Sequence, residues 1–102
     1  MVFLFAVDRG GPTTVYSRMF APENGVAEDP GTGSASGPLG AYLVRYGVSG
    51  ASGATHTFVS RQGVKMRRPC EIHIRISGTA DAITRVEVGG TATCAGEGTL
   101  FL

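Results

Sequence analysis

Polar and apolar positions alternate most cleanly over Glu71-Ile72-His73-Ile74-Arg75-Ile76-Ser77. Successive side chains of a strand point to opposite faces, so this run predicts a strand with its isoleucines buried and His73 and Arg75 in water. Met1–Asp8 is almost continuously apolar, and Thr13–Phe20 is rich in β-branched and aromatic residues. With Arg9-Gly10-Gly11-Pro12 as turn residues between them, the two segments predict a hairpin. Thr55–Arg61 predicts another strand, closed by a turn at Gln62-Gly63. Ile83–Val88, Thr91–Ala95 and Thr99–Leu102 predict short strands separated by Gly89-Gly90 and Gly96-Glu97-Gly98. Between the first hairpin and these strands the period changes. Leu39, Leu43 and Val44 recur at the spacing of one helix face, Tyr42 and Tyr46 flank it, and Gly47 stands where a left-handed residue ends a helix.

The early turns of that helix are small residues (Gly33, Ser34, Ala35, Ser36, Gly37, Gly40, Ala41), and Pro38 either falls within its first turns or kinks it. Such a helix is weak on propensity, so close packing against the sheet is expected to hold it. Ala21–Gly33, with two prolines and three glycines, predicts irregular chain, and Ser49–Ala54 a small loop. Six or seven strands and one central helix make an α+β fold, mostly antiparallel, with the sheet wrapped around the helix. The 102 residues fit one domain, 1–102, with no internal repeat and no dividing linker.

Charge narrows the function classes. Nine Lys+Arg against eight Asp+Glu leave a net +1, without the field that general nucleic-acid or membrane-surface binding needs. Arg61, Lys65, Arg67 and Arg68 gather around a turn without interleaved aromatics and read as a solvated hairpin end, able to help attract an acidic substrate. Met1–Val7 is far shorter than the roughly 20 residues of a spanning helix. It also lacks a basic leader and a cleavage site, so the expected location is cytoplasmic. Cys70 and Cys94 are too far apart for a CxxC metal or redox motif. They are expected to be free, mostly buried thiols, with a disulfide between them left open. Neither histidine is read as catalytic, and no metal-ligand set is seen.

One segment carries candidate chemistry: Glu28-Asp29-Pro30-Gly31-Thr32-Gly33-Ser34-Ala35, running into the helix. Pro30 biases Asp29 away from helical backbone, so its carboxylate projects from an extended segment. Gly31 and Gly33 let a ligand approach the main chain. Thr32 or Ser34 can cap the helix, and the first N–H groups beyond have no intrahelical partner. Those donors and the helix dipole suit a carboxylate or phosphate. A carboxylic side chain beside an anion cradle is what proton transfer on an acid substrate requires. Other motifs fail: Gly31–Gly37 misses G-x-G-x-x-G by one residue, no lysine completes a phosphate loop, and Ala35 occupies the nucleophile position of a G-x-S-x-G elbow. The alternative is structural, with Asp29 bonding N-terminal amides of a glycine-rich cap.

Met19-Phe20-Ala21-Pro22 followed by Gly25, then Glu28 to Ala35, resembles the signature of the PhzF-like family of phenazine biosynthesis, which has a diaminopimelate epimerase-like fold. Gln62-Gly63, Met66, Arg68-Pro69, the strand Ile72 to Ile76 and Val88-Gly89-Gly90 match the same family in order. The resemblance covers the second of the family's two similar halves. It implies cofactor-independent isomerisation or epimerisation by proton transfer on a small carboxylate, in a cleft between halves. Asp29 would be catalytic, with Glu28, Thr32, Gly33, Ser34 and Ala35 binding substrate and Glu28 tuning its neighbour. Related amino-acid racemases carry a catalytic cysteine where Asp29 stands; neither Cys70 nor Cys94 falls there, which disfavours a thiol mechanism. The family's catalytic Glu and companion His belong to the first half and have no counterpart here. The expected partner is therefore a second copy or a separate chain carrying the other half. The other readings are a carboxylate-binding module without catalysis and an inactive fragment.

Overall fold

In the computed structural model, which describes residues 1–8, 10–11, 13–48 and 53–102, the segments gather into one six-stranded sheet and one α-helix. The strands are β1 (Val2–Val7), β2 (Thr14–Ala21), β3 (Val26–Asp29), β4 (Thr55–Gln62), β5 (Cys70–Thr79) and β6 (Ala82–Gly89), and the helix is α1 (Gly33–Arg45). Their order is β1-β2-β4-β5-β6, with β3 also paired to β2. β4 takes Thr14–Ser17 of β2, and β3 takes the far end of β2 around Met19 and Ala21. All pairs are antiparallel except β2–β4. A parallel pair cannot be joined by a tight turn. The chain between β2 and β4 therefore runs through a 3-10 turn (Pro22–Asn24), β3 and α1, which lays the helix on one face of the sheet.

The buried face follows the period of two. Val15, Ser17 and Met19 of β2, His56, Phe58, Ser60 and Gln62 of β4, and Ile72, Ile74 and Ile76 of β5 all point inward. Leu39, Leu43 and Val44 of α1 pack on them, as the helical spacing predicts. Tyr42 and Tyr46 flank this face in solvent, their ring centroids 4.6 Å apart, and Tyr42 meets Phe5 of β1 edge-on at 5.6 Å. Pro38 lies inside α1 on its exposed side, where the carbonyl it leaves unpaired can reach water. Gly47 ends the helix as expected: Gly47 N–H donates to Val44 O and Val48 N–H to Leu43 O, with Gly47 at φ +60°.

The predicted holder of this weak helix is visible at Gly40. A Cβ there would stand 2.4 Å from Ile74 Cγ2 and 2.9 Å from Ile76 Cδ1, so α1 rides directly on β5. Gly40→Ala gains about 1 kcal/mol of helix propensity. It meets buried, β-branched side chains and costs more than that, within the roughly 1–3 kcal/mol typical of overpacking. The expected result is a lower melting temperature, measured by circular dichroism; a rise would mean the helix can lift off the sheet freely.

Three expectations are corrected. Val26–Asp29, inside the stretch read as irregular, is a strand, because β2 extends past the end of β4 and offers it a partner. Thr91–Ala95 and Thr99–Leu102 form no strand. Strand-like composition needs a neighbouring strand for its backbone bonds, and pairing with β5 ends at Gly89. The thiols are free but exposed, not buried: Cys70 opens β5 at its end, and Cys94 lies in the uncovered C-terminal segment. Arg9 and Pro12 of the first turn, and 49–52 of the predicted loop, lie outside the described residues. Among the described residues, no helix is long and apolar enough to cross a membrane.

Candidate active site at the start of the helix

Asp29 ends β3 half-buried, Pro30 and Gly31 turn the chain, and buried Thr32 occupies the N-cap position of α1. Thr32 does not cap through its side chain. Its hydroxyl donates instead to Asp29 Oδ2 at 2.5 Å. The Ser36 N–H and hydroxyl both donate to Thr32 O, at 3.1 and 2.8 Å, which secures the first turn. The N–H groups of Gly33, Ser34 and Ala35 have no partner among the described residues, and no acidic side chain occupies the first turn. Three free donors at the positive end of a helix therefore lie just beyond a carboxylic side chain whose Oδ1 is also unpartnered among the described residues.

The feature that sequence reasoning missed is Gln62. Read there as half of a turn, it is the last residue of β4, faces inward and is fully buried. Its Nε2 donates to Asp29 O at 2.8 Å and to Thr32 Oγ1 at 2.8 Å, and its Oε1 accepts from Thr32 N–H at 3.0 Å. The amide can adopt only this orientation, because reversing it would set oxygen against the Asp29 carbonyl. A signal existed: an amide at an inward position of an alternating strand demands hydrogen-bond partners.

Other candidates lie elsewhere. Both oxygens of Glu28 are taken by Arg18, which donates from Nε at 2.8 Å and from Nη2 at 3.0 Å. That guanidinium, chiefly through its hydrogen bond, holds the Glu28 carboxyl below the usual carboxylate range. As neighbours on a strand, Glu28 and Asp29 face opposite ways, so the structure does not bring the Glu28 carboxylate to Asp29. Space at Gly31 is occupied by Cys70, whose Sγ would lie 3.0 Å from a Cβ there. His73 is exposed, as its alternation predicts. His56 is buried at the opposite end of β4 from Gln62, about 20 Å along the strand. A hollow of about 620 Å³ beside His56 at the far end of α1, and one of about 520 Å³ beside His73 and Arg75, are both lined without Asp29. Chemistry, not room, singles out the helix start. Among the described residues, no three of His, Cys, Asp and Glu converge to hold a metal.

Known proteins resemble this chain over most of its length. The family model for phenazine biosynthesis-like protein matches residues 1–98. The chain is 44% identical over 86 residues to trans-2,3-dihydro-3-hydroxyanthranilate isomerase of Pseudomonas chlororaphis, covering 84% of this chain and 30% of that protein. An uncharacterized isomerase of Clostridium acetobutylicum is 34% identical over 91 residues, covering 88% of this chain and 30% of its own length. A solved structure described as a predicted epimerase from Pseudomonas aeruginosa superposes with a TM-score of 0.52 at 29% identity, covering 91% of this chain and 32% of the other. The chain thus spans about 30% of the length of the curated relatives it matches. On the match over 1–98, this chain belongs to the phenazine biosynthesis-like protein family.

Proposed function

We propose that this chain supplies the aspartate half of a cofactor-independent isomerase site, in which Asp29 moves a proton on a small carboxylate-bearing substrate. The observation that carries the reading is the pairing of Asp29, held through Oδ2, with the N–H groups of Gly33, Ser34 and Ala35, these donors and Asp29 Oδ1 having no partner among the described residues. The amides would bind the substrate carboxylate, and a positioned carboxylic group is what a proton-transfer step requires. Thr32 serves the site by holding Asp29, and Glu28 serves it at one remove, through the strand it fixes to β2 by way of Arg18.

In a two-group proton transfer one residue acts as base and another as acid, and one Asp29 supplies one of them. We place the other on a second copy of the chain, its Asp29 across a shared cleft. Val86 and Val88 of β6 support an interface there: they are 45% and 40% exposed and stand beside the helix start, where a Cβ on Gly33 would be 3.9 Å from Val88 Cγ1.

The first test is binding. On titration with trans-2,3-dihydro-3-hydroxyanthranilate, or with acetate as a minimal carboxylate, amide chemical shifts should move first and furthest at Gly33, Ser34 and Ala35. Shifts elsewhere with these three silent would refute the cradle. Binding without solvent-deuterium incorporation into the first acid would instead favour a carboxylate-binding module.

A further inference from the structure

The Thr32 hydroxyl has a single proton, and where that proton points decides how Asp29 is held. Gln62 Nε2 donates to Thr32 Oγ1 at 2.8 Å and occupies the acceptor side of the hydroxyl. The proton is thereby directed along the remaining contact, 2.5 Å to Asp29 Oδ2. Because the same amide also grips Asp29 O and Thr32 N–H, it fixes both ends of the Asp29–Thr32 turn against β4. Gln62 is itself fully buried, so water does not compete for these bonds. The chain Gln62 to Thr32 to Asp29 is polarised in one direction, from amide donor to carboxylate acceptor.

We propose that Gln62 is a positioning residue: by orienting the Thr32 hydroxyl it holds the Asp29 carboxyl in one rotamer, with Oδ2 engaged and Oδ1 left for the substrate. Its role in turnover rests on the function proposed above; its role in orienting Asp29 does not. Titratable groups on the surrounding elements do not compete for this contact. Glu28 is bound to Arg18 of β2, and Cys70 of β5 and Arg67 and Arg68 of the β4–β5 connection make no hydrogen bond to the Asp29 carboxyl among the described residues.

The test is NMR on the full chain. In the wild-type protein both side-chain amide protons of Gln62 should exchange slowly with solvent, and the Hα–Hβ couplings of Asp29 should report one rotamer. Thr32→Ser, which keeps the hydroxyl, should preserve that rotamer. Thr32→Val and Gln62→Leu should give averaged couplings in a folded protein, and Gln62→Leu should lower the saturated deuterium-incorporation rate roughly 10- to 100-fold, a larger effect than on KM. A residue that is merely structural would lower the melting temperature and leave the couplings of Asp29 alone. A fixed rotamer in Thr32→Val, or freely exchanging Gln62 amide protons in the wild type, overturns the proposal, the latter even if Gln62→Leu does not fold. Failure of the wild-type chain to incorporate deuterium would sink the functional reading and leave this one standing.

Discussion

Asp29→Asn is expected to abolish proton exchange while leaving the fold in place. Asparagine is nearly isosteric and its Oδ1 can still accept the Thr32 hydroxyl, which now bonds Asp29 Oδ2 at 2.5 Å. Only the charge assistance of that bond is lost, a change of about 1 kcal/mol. The Gln62 bonds reach the Asp29 carbonyl and Thr32, neither of which the substitution alters. An amide cannot take up and return a proton at neutral pH, so the loss of rate should match or exceed the 10²–10⁴-fold contribution typical of general acid–base catalysis. Deuterium incorporation into the probe acid, read by mass spectrometry beside a thermal melt, checks both halves. Undiminished exchange would reassign Asp29 to holding the helix start.

Gly63→Ala should lower stability severely. Gly63 sits at φ +75°, and a Cβ there would lie 2.3 Å from Arg68 O, 2.8 Å from Pro30 O and 3.1 Å from Pro30 Cα. All three are backbone atoms and cannot rotate aside. The left-handed conformation costs a non-glycine residue about 1–2 kcal/mol, and overpacking adds roughly 1–3 kcal/mol. A loss of about 3 kcal/mol is a large part of the roughly 5–15 kcal/mol that holds such a domain. At about 4–8 °C per kcal/mol the melting temperature should fall by more than about 10 °C. Because the clash is with Pro30, carboxylate binding at Gly33–Ala35 should weaken as well. Gly96→Ala, where a Cβ meets nothing within 4 Å, is the control and should melt like the wild type. Equal melting temperatures for Gly63→Ala and the control would show that the connection between β4 and β5 does not brace the site.

These effects trace how far the sequence reaches. The strand around Ile72–Ile76 and the helix face of Leu39, Leu43 and Val44 are legible because each buries one face, and burial imposes a period. The acid and the helix start are legible because Pro30 and the adjacent glycines dictate local backbone geometry. β3 is not: it is four residues long, VAED, and becomes a strand only because β2 outruns β4. Thr91–Ala95 is the converse, strand-like in composition but without a neighbour. Gln62 falls between the two. Followed by glycine it reads as a turn, and only the register that places it inward, opposite Cys70, shows that its amide must find Asp29 and Thr32.

The central claim is that two Asp29 side chains share one site. It is tested most directly by refolding wild-type and Asp29→Asn chains together in equal amounts and measuring deuterium incorporation into the probe acid. If both copies must contribute, random pairing leaves about a quarter of the wild-type rate at the same total chain concentration, since only pairs with two Asp29 residues act. A rate of about one half would mean that each chain works alone and would contradict the shared site.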